Sequence, residues 1–168
     1  MRRPREEDRA PFARMNADPR VMEFFPGTLS REESDALMDR IEAHQAERGF
    51  SWCAAELCET GQFIGFIGLS VPRFEAAFTP CVEVGWRLAA EHWGRGLATE
   101  GARAVVKYGF EDVGIGEIVS FTTVGNMRSR RVMEKIGMTR DPADDFDHPA
   151  LPEGHPLRRH VLYRLQRD

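Results

Sequence analysis

The stretch from Glu83 to Met138 constrains this chain most, because it alternates two strand patterns with two helix patterns around one glycine-bearing turn. Glu83-Val-Gly-Trp-Arg-Leu88 reads as a strand, and Ala89-Ala-Glu-His92 reads as a polar hinge. Trp93-Gly-Arg-Gly-Leu-Ala-Thr-Glu100 then places two glycines ahead of a helix. Glu117 to Thr123 is a second strand, and a second helix starts after Asn126 and stops at Gly137. A turn that passes a strand into a helix can bind phosphate through main-chain amides and the positive end of the helix dipole. Gly94-x-Gly96 alone is a weak signal. It lacks the third glycine of a dinucleotide fingerprint and the Lys-Ser/Thr pair of a P-loop. It therefore reads either as a tight strand-to-helix turn or as a pyrophosphate cradle built from Arg95, Gly96, Leu97, Ala98 and Thr99.

A chain of 168 residues suits one domain with a real core. Hydrophobic residues at 42% and charged residues at 30% are those of a globular protein, and a net charge of -4 offers no basic surplus for nucleic acid or an anionic membrane. No apolar run is long enough to span a bilayer, and the first residues have no signal-peptide core. Cys53, Cys58 and Cys81 are odd in number and lack metal-ligand spacing. They read as buried free thiols in a reducing cytoplasm, with no metal site.

Along the rest of the chain, Arg5 to Ala17 reads as a short helix ended by Asp18-Pro19. Ser30-Arg-Glu-Glu33 has capping-box spacing. The helix it opens carries Ala36, Leu37, Ile41 and His44 on one face and stops at Gly49. Phe50 to Leu57 and Phe63 to Val71 form a hairpin, and Cys81 to Leu88 is the next strand. Gly85 inside that strand predicts a bulge or a close backbone approach. The helix from Leu97 to Val113 buries Ala98, Ala102, Val105, Val106 and Gly109. In the following helix, Ser129 shares the buried face with Val132, Met133 and Ile136. The segment after Gly137 reads as irregular until a last strand from His160 to Gln166.

Taken together, Glu83-Val-Gly-Trp-Arg-Leu88, Trp93-Gly-Arg-Gly-Leu-Ala-Thr-Glu100 and Asn126-x-x-Ser-x-Arg-Val-x-Glu-Lys-x-Gly-Met138 resemble the acetyl-CoA-binding core of the GNAT N-acetyltransferases. The likeness extends to the RimJ/RimL branch through Asp18-Pro-Arg-Val-Met22, Phe146-Asp-His-Pro149 and Arg159-His-Val-Leu-Tyr163. The resemblance implies one α/β domain of the α+β type over residues 1–168, with a mixed, mostly antiparallel sheet flanked by helices and splayed central strands. It implies an acetyl-CoA-dependent acyltransferase acting on a primary amine, either a small molecule or a peptide or protein N-terminus, as a monomer or homodimer. By the same resemblance, Gly94 to Thr99 hold the CoA pyrophosphate, and the main chain at Trp86, Arg87 and Leu88 pairs with pantetheine. Asn126 holds the pantetheine amides, Ser129 stands near the thioester sulfur, and Arg131 lies near the cofactor.

The sequence departs from the family pattern in three places. Glu91 stands where Gln or Arg is common, so the loop amides must carry more of the phosphate binding. Met133 stands where many members carry a proton-donating tyrosine, which leaves Ser129 as the donor. The family's first strand is mostly missing ahead of Arg2. The lost tyrosine admits a second reading, a CoA-binding sensor or interaction module without turnover. Glu83 is a candidate base by position, and its alternative role is a strand-end salt bridge. The acceptor side falls among Phe24, Phe25, Trp52 and the acidic loop Asp141 to His148, where aspartates could draw a cationic amine or merely be solvated. His148 reads as a loop hydrogen-bonder rather than a base.

Overall fold

A computed structural model describes residues 1–167. The helices are α1 (Arg9–Asn16), α2 (Arg31–Arg48), α3 (Leu97–Tyr108) and α4 (Met127–Lys135). The strands are β1 (Trp52–Glu56), β2 (Phe63–Ser70), β3 (Val82–Leu88), β4 (Glu117–Thr123), β5 (Thr139–Arg140), β6 (Phe146–Asp147) and β7 (Arg159–Gln166). They form a seven-stranded sheet in the order β1-β2-β3-β4-β7-β5, with β6 also on β7. Every pairing is antiparallel except β3 with β4. The two short strands β5 and β6 fall in the segment read as irregular. Two residues give no alternation to detect, and only the pairing with β7 makes them strands.

Side chains alternate across a strand, so β3 and the part of β2 from Phe66 onward sort their residues onto two faces, while Ile64, beside the register shift against β1, joins the same core as Ile67. Ile67, Leu69, Val84 and Leu88 join Val105 and Val106 of α3 and Met133 of α4 in one core. Phe66, Ala54, Phe12, Met15, Met38 and Ile41 form the second core under α1 and α2. The face of α2 keeps Leu37, Ile41 and His44 as expected and departs from the expectation at Ala36. Ser34, Met38 and Ile41 are buried, while Ala36 is exposed. A polar contact decides this, because buried Asn16 donates from Nδ2 to buried Ser34 Oγ at 2.8 Å. The capping box holds as expected, with Glu33 N–H on Ser30 Oγ and Ser30 N–H on the Glu33 carboxylate.

Trp52, Gly68 and Gly85 lie in register across three strands on the α2 face. The Trp52 ring crosses β2 and ends over Gly85, where an added Cβ would sit 2.3 Å from Cη2. The close approach expected at Gly85 is therefore made by an indole and not by another backbone. We expect Gly85→Ala to displace that ring and to lower stability by about 1–3 kcal/mol, read by denaturant unfolding followed through Trp fluorescence. At the N-terminus, Arg2 exchanges two main-chain hydrogen bonds with Ala54 at 3.0 and 2.9 Å, a single bridge on the edge of β1. Among the thiols, Cys53 and Cys81 are partly buried, but Cys58 is exposed in the hairpin turn. The apolar strand beside Cys58 ends before it.

Candidate active site

β3 and β4 pair through only two residues, Val82 with Ile118 and Glu83 with Val119. Beyond Glu83 the strands part, and β3 runs on to Leu88 while β4 runs on to Thr123. A sheet opened this way leaves main-chain donors and acceptors of both strands without a ladder partner, and an extended ligand arm can take the vacant strand position. A cavity of about 700 Å³ occupies the opening. Its lining comes from both sheet faces: Trp86, Leu97, Ala98, Val132 and Met133 on the α3 side, and Phe25, Leu37, Ile41, Trp52 and Phe66 on the α2 side.

On the α3 side, Gly94 and Gly96 take φ of 75° and 81°, a left-handed conformation that favours glycine at both turns. No side chain caps the start of α3. The amides at Leu97, Ala98 and Thr99 are thus the helix's free first-turn donors, and Gly94, Gly96, Leu97, Ala98 and Thr99 all line the cavity. Arg95 does not line it. Its guanidinium lies 3.4 Å from His92 Nδ1. At the start of α4, Asn126 Oδ1 accepts from Ser129 N–H at 3.2 Å. Asn126 Nδ2 donates to Thr122 Oγ1 at 2.9 Å and to Ser129 Oγ at 3.1 Å. Ser129 Oγ is an acceptor in that contact, so its own O–H is left to donate elsewhere. Asn126, Ser129 and Arg131 line the cavity, as do Trp86, Arg87 and Leu88. The Leu88 carbonyl already accepts from Trp93 Nε1 at 2.8 Å.

Glu83, Gly85 and Arg87 alternate onto the α2 face. Glu83 lines the cavity, and its nearest polar partner is Ser70 Oγ at 3.3 Å. It forms no salt bridge among the described residues, so the strand-end ion pair considered from sequence is not made. Burial pushes its carboxyl up to about 8, and the Ser70 contact only partly offsets this. Arg87 also lines the cavity, and burial lowers its guanidinium to about 10.

The acidic loop turns inward on itself and away from the cavity. Asp144 holds Arg164 at 2.7 Å, Asp145 pairs with Arg140, and Asp147 lies 3.3 Å from Arg159. Asp141 accepts from Ala143 N–H at 2.9 Å. None of these aspartates lines the cavity. His148 Nδ1 accepts from Ala150 N–H at 3.3 Å, the loop role expected of it, and its ring also reaches the cavity wall.

Residues 1–139 match the acetyltransferase (GNAT) domain family. The chain belongs to the GNAT acetyltransferases. It is 33% identical over 127 residues to the uncharacterized protein YkkB of Bacillus subtilis, covering 76% of this chain and 73% of that one. It is 41% identical over 116 residues to the FsC-acetyl coenzyme A-N(2)-transacetylase of Aspergillus fumigatus, covering 64% of this chain and 47% of that protein, so less than half of the fungal protein is matched. An acetyltransferase structure from Agrobacterium tumefaciens superimposes with a TM-score of 0.78 at 28% identity, covering 99% of this chain and 89% of that one.

The acetyltransferase takes its acetyl group from acetyl-CoA. The chain's own residues fit that substrate, because the uncapped start of α3 and the unpaired strand edge meet in one cavity. No group of three or more metal-ligating side chains occurs among the described residues, and no described helix is long and apolar enough to cross a membrane. Several lining residues had no sequence signal. Arg128 stacks 4.5 Å from the Trp93 ring and 5.7 Å from Phe24, which ties α4 to the segment before α2. Phe121 and His160 meet His148 because β7 pairs with β4 on one side and with β6 on the other. No tyrosine lines the cavity, and Met133 is buried in the α3-side core.

Proposed function

We propose that this acetyltransferase acetylates a primary amine by direct attack in a ternary complex, without a covalent enzyme intermediate. The observation that carries the reading is the parting of β3 from β4. It joins a glycine turn with free amides on one sheet face to the Glu83 carboxyl on the other. Acetyl-CoA supplies the thioester carbon, and its thiolate leaves. The amides from Gly94 to Thr99 hold the pyrophosphate, and the unpaired edge of β3 at Trp86 and Arg87 holds pantetheine with Asn126. Arg131 lies alongside the cofactor. A main-chain N–H of β3 in the gap donates to the carbonyl oxygen as it gains charge. Glu83 accepts the proton that the attacking nitrogen gives up, and Ser129 donates a hydrogen bond to the departing sulfur.

The acceptor enters from the α2 face, between Trp52, Phe25 and the wall of Phe121, His148 and His160. The RimJ/RimL-like segments at Asp18–Met22 and Phe146–Pro149 favour a peptide α-amine among primary amines, and such an amine has a pKa near ~7.7–8.0. The three thiols, none of them in a disulfide, suit a cytoplasmic protein. Acetyl-CoA consumption measured across peptides and small amines is expected to show transfer. Binding of CoA with no transfer to any amine overturns the proposal. Ser129→Ala is expected to lower turnover about tenfold, the worth of one hydrogen bond to a developing charge, with little change in CoA affinity. Full activity in that variant removes Ser129 from the chemistry.

A further inference from the structure

We infer that Arg87 selects acceptors bearing a carboxylate, so that the amine substrate is of ω-amino-acid or short-peptide type. The inference rests on the acetyltransferase reading and specifies its acceptor. Arg87 is held rigidly. Its Nη1 donates to Asn16 Oδ1 at 2.7 Å, and its guanidinium carbon lies 4.1 Å from the centre of the Phe25 ring. Asn16 is fully buried and is itself fixed by its bond to Ser34 Oγ. The side chain therefore keeps one edge, Nε with Nη2, for which no partner exists among the described residues. Nε is buried and unsatisfied. No carboxylate among the described residues pairs with the guanidinium, although it lines the cavity.

A buried cation without a counter-charge is costly, and an unpaired Nε–Nη2 edge is the fork that receives a carboxylate through two parallel hydrogen bonds. The phosphates of CoA are not that anion. Their turn opens α3, which packs on the Ile67 and Leu69 side of the sheet, while Arg87 faces α1. Polyamines are disfavoured for the same reason, since a second ammonium would meet the guanidinium. Glu83 and Arg87 are four residues apart on one face of β3, so their Cα atoms are roughly 13 Å apart. The ring of Trp52 lies between them over Gly85. An acceptor whose amine and carboxylate stand about 7 Å apart, such as an ω-amino acid or a short peptide, can thus present its amine to Glu83 and its carboxylate to Arg87 across an aromatic floor.

The test uses matched acceptors: α- and ω-amino acids, their carboxamides and the corresponding plain alkylamines, assayed with acetyl-CoA and the full chain. The ω-amino acids are expected to show kcat/KM about 10- to 100-fold above their amides, the range for a desolvated hydrogen bond to a charged group, whereas the α-amino acids, too short to reach both groups, show no such preference. In Arg87→Met the preference collapses, mainly through KM for the acid, and Arg87→Lys restores part of it. Calorimetry with CoA checks that each variant is folded. In the CoA-bound protein, the Arg87 Nε–H resonance is expected to shift with 6-aminohexanoate and not with hexylamine. If Arg87→Met does not fold, the wild-type ratio and this resonance decide the matter alone. Equal rates on ω-acid and ω-amide, or a resonance unmoved by every ω-acid, overturn the role of Arg87 while leaving the acetyltransferase reading intact. Absence of transfer to any amine overturns both.

Discussion

Glu83→Gln is expected to lower kcat/KM by about 10²- to 10⁴-fold, the range for losing a positioned general base, while acetyl-CoA affinity measured by calorimetry stays the same. The amide keeps the shape of the carboxyl and its contact with Ser70, 3.3 Å away in the native protein, but it cannot accept a proton. The effect should be large because the base is matched to its task. A carboxyl held near the usual range would be too weak a base to deprotonate an amine. Burial places this one at about 8, where its proton affinity approaches that of the nucleophile. The native rate should therefore rise with pH through about 8. An acceptor whose amine is already neutral at pH 7 isolates this limb from titration of the substrate. With such an acceptor the variant's profile should be flat over the same interval. A native-like rate in the variant would remove Glu83 from proton transfer.

The same shift fixes a stability effect of opposite sign to the activity. The folded state binds the Glu83 proton more tightly than the unfolded chain does. Its contribution is neutral below the unfolded pKa, and stability is lost progressively as pH rises from the ordinary carboxylate range to about 8. Glu83→Gln escapes that loss, so above this range the variant should melt at a higher temperature than the native protein.

The central stretch was legible in the sequence because most of its parts carry a local cause. Glycines at positive φ and the Asn126 cap on Ser129 both act within a few residues, whereas the parting of β3 from β4 after the Glu83–Val119 pair is a long-range feature that only the family resemblance implied. The bounds of α2 were equally legible through Ser30 and Gly49. Its buried face was legible at Leu37 and Ile41 but not at Ser34, which is buried through a contact 18 residues away with Asn16, while Ala36 is exposed. The acceptor side was the least visible part. Aspartates between 141 and 147 looked like a lure for cations, yet arginines on β5 and β7 neutralise most of them, and strand pairing alone brings those groups together. Arg87 read as a main-chain contact only. The meaning of its side chain depends on Asn16, 71 positions away, and on Phe25 above it. Local pattern thus located the elements of the proposed cofactor half of the site, and long-range packing hid those of the proposed acceptor half.

Gly96→Asp should weaken CoA binding by more than about 100-fold without unfolding the protein. Gly96 sits at φ 81° and ψ -3°, a left-handed position that costs most residues about 1–2 kcal/mol but suits Asp and Asn best among them. An added Cβ meets no atom within 4 Å, so no clash compounds the strain. The new carboxylate also sits at the positive end of α3, which returns part of the cost. The harm falls on the ligand. One unit charge about 5 Å from a phosphate charge, at an effective dielectric near 20, opposes binding by about 3 kcal/mol, and the carboxylate competes for the same first-turn amides. Gly96→Asn carries the same strain and nearly the same volume without the charge, so it should lose far less affinity. Calorimetric titration of CoA into both variants, with thermal unfolding as the control, separates the two contributions. If the Asp variant binds CoA as the native chain does, the phosphates do not sit on this turn. The uncapped amides at the start of α3 would then have to be satisfied by water instead.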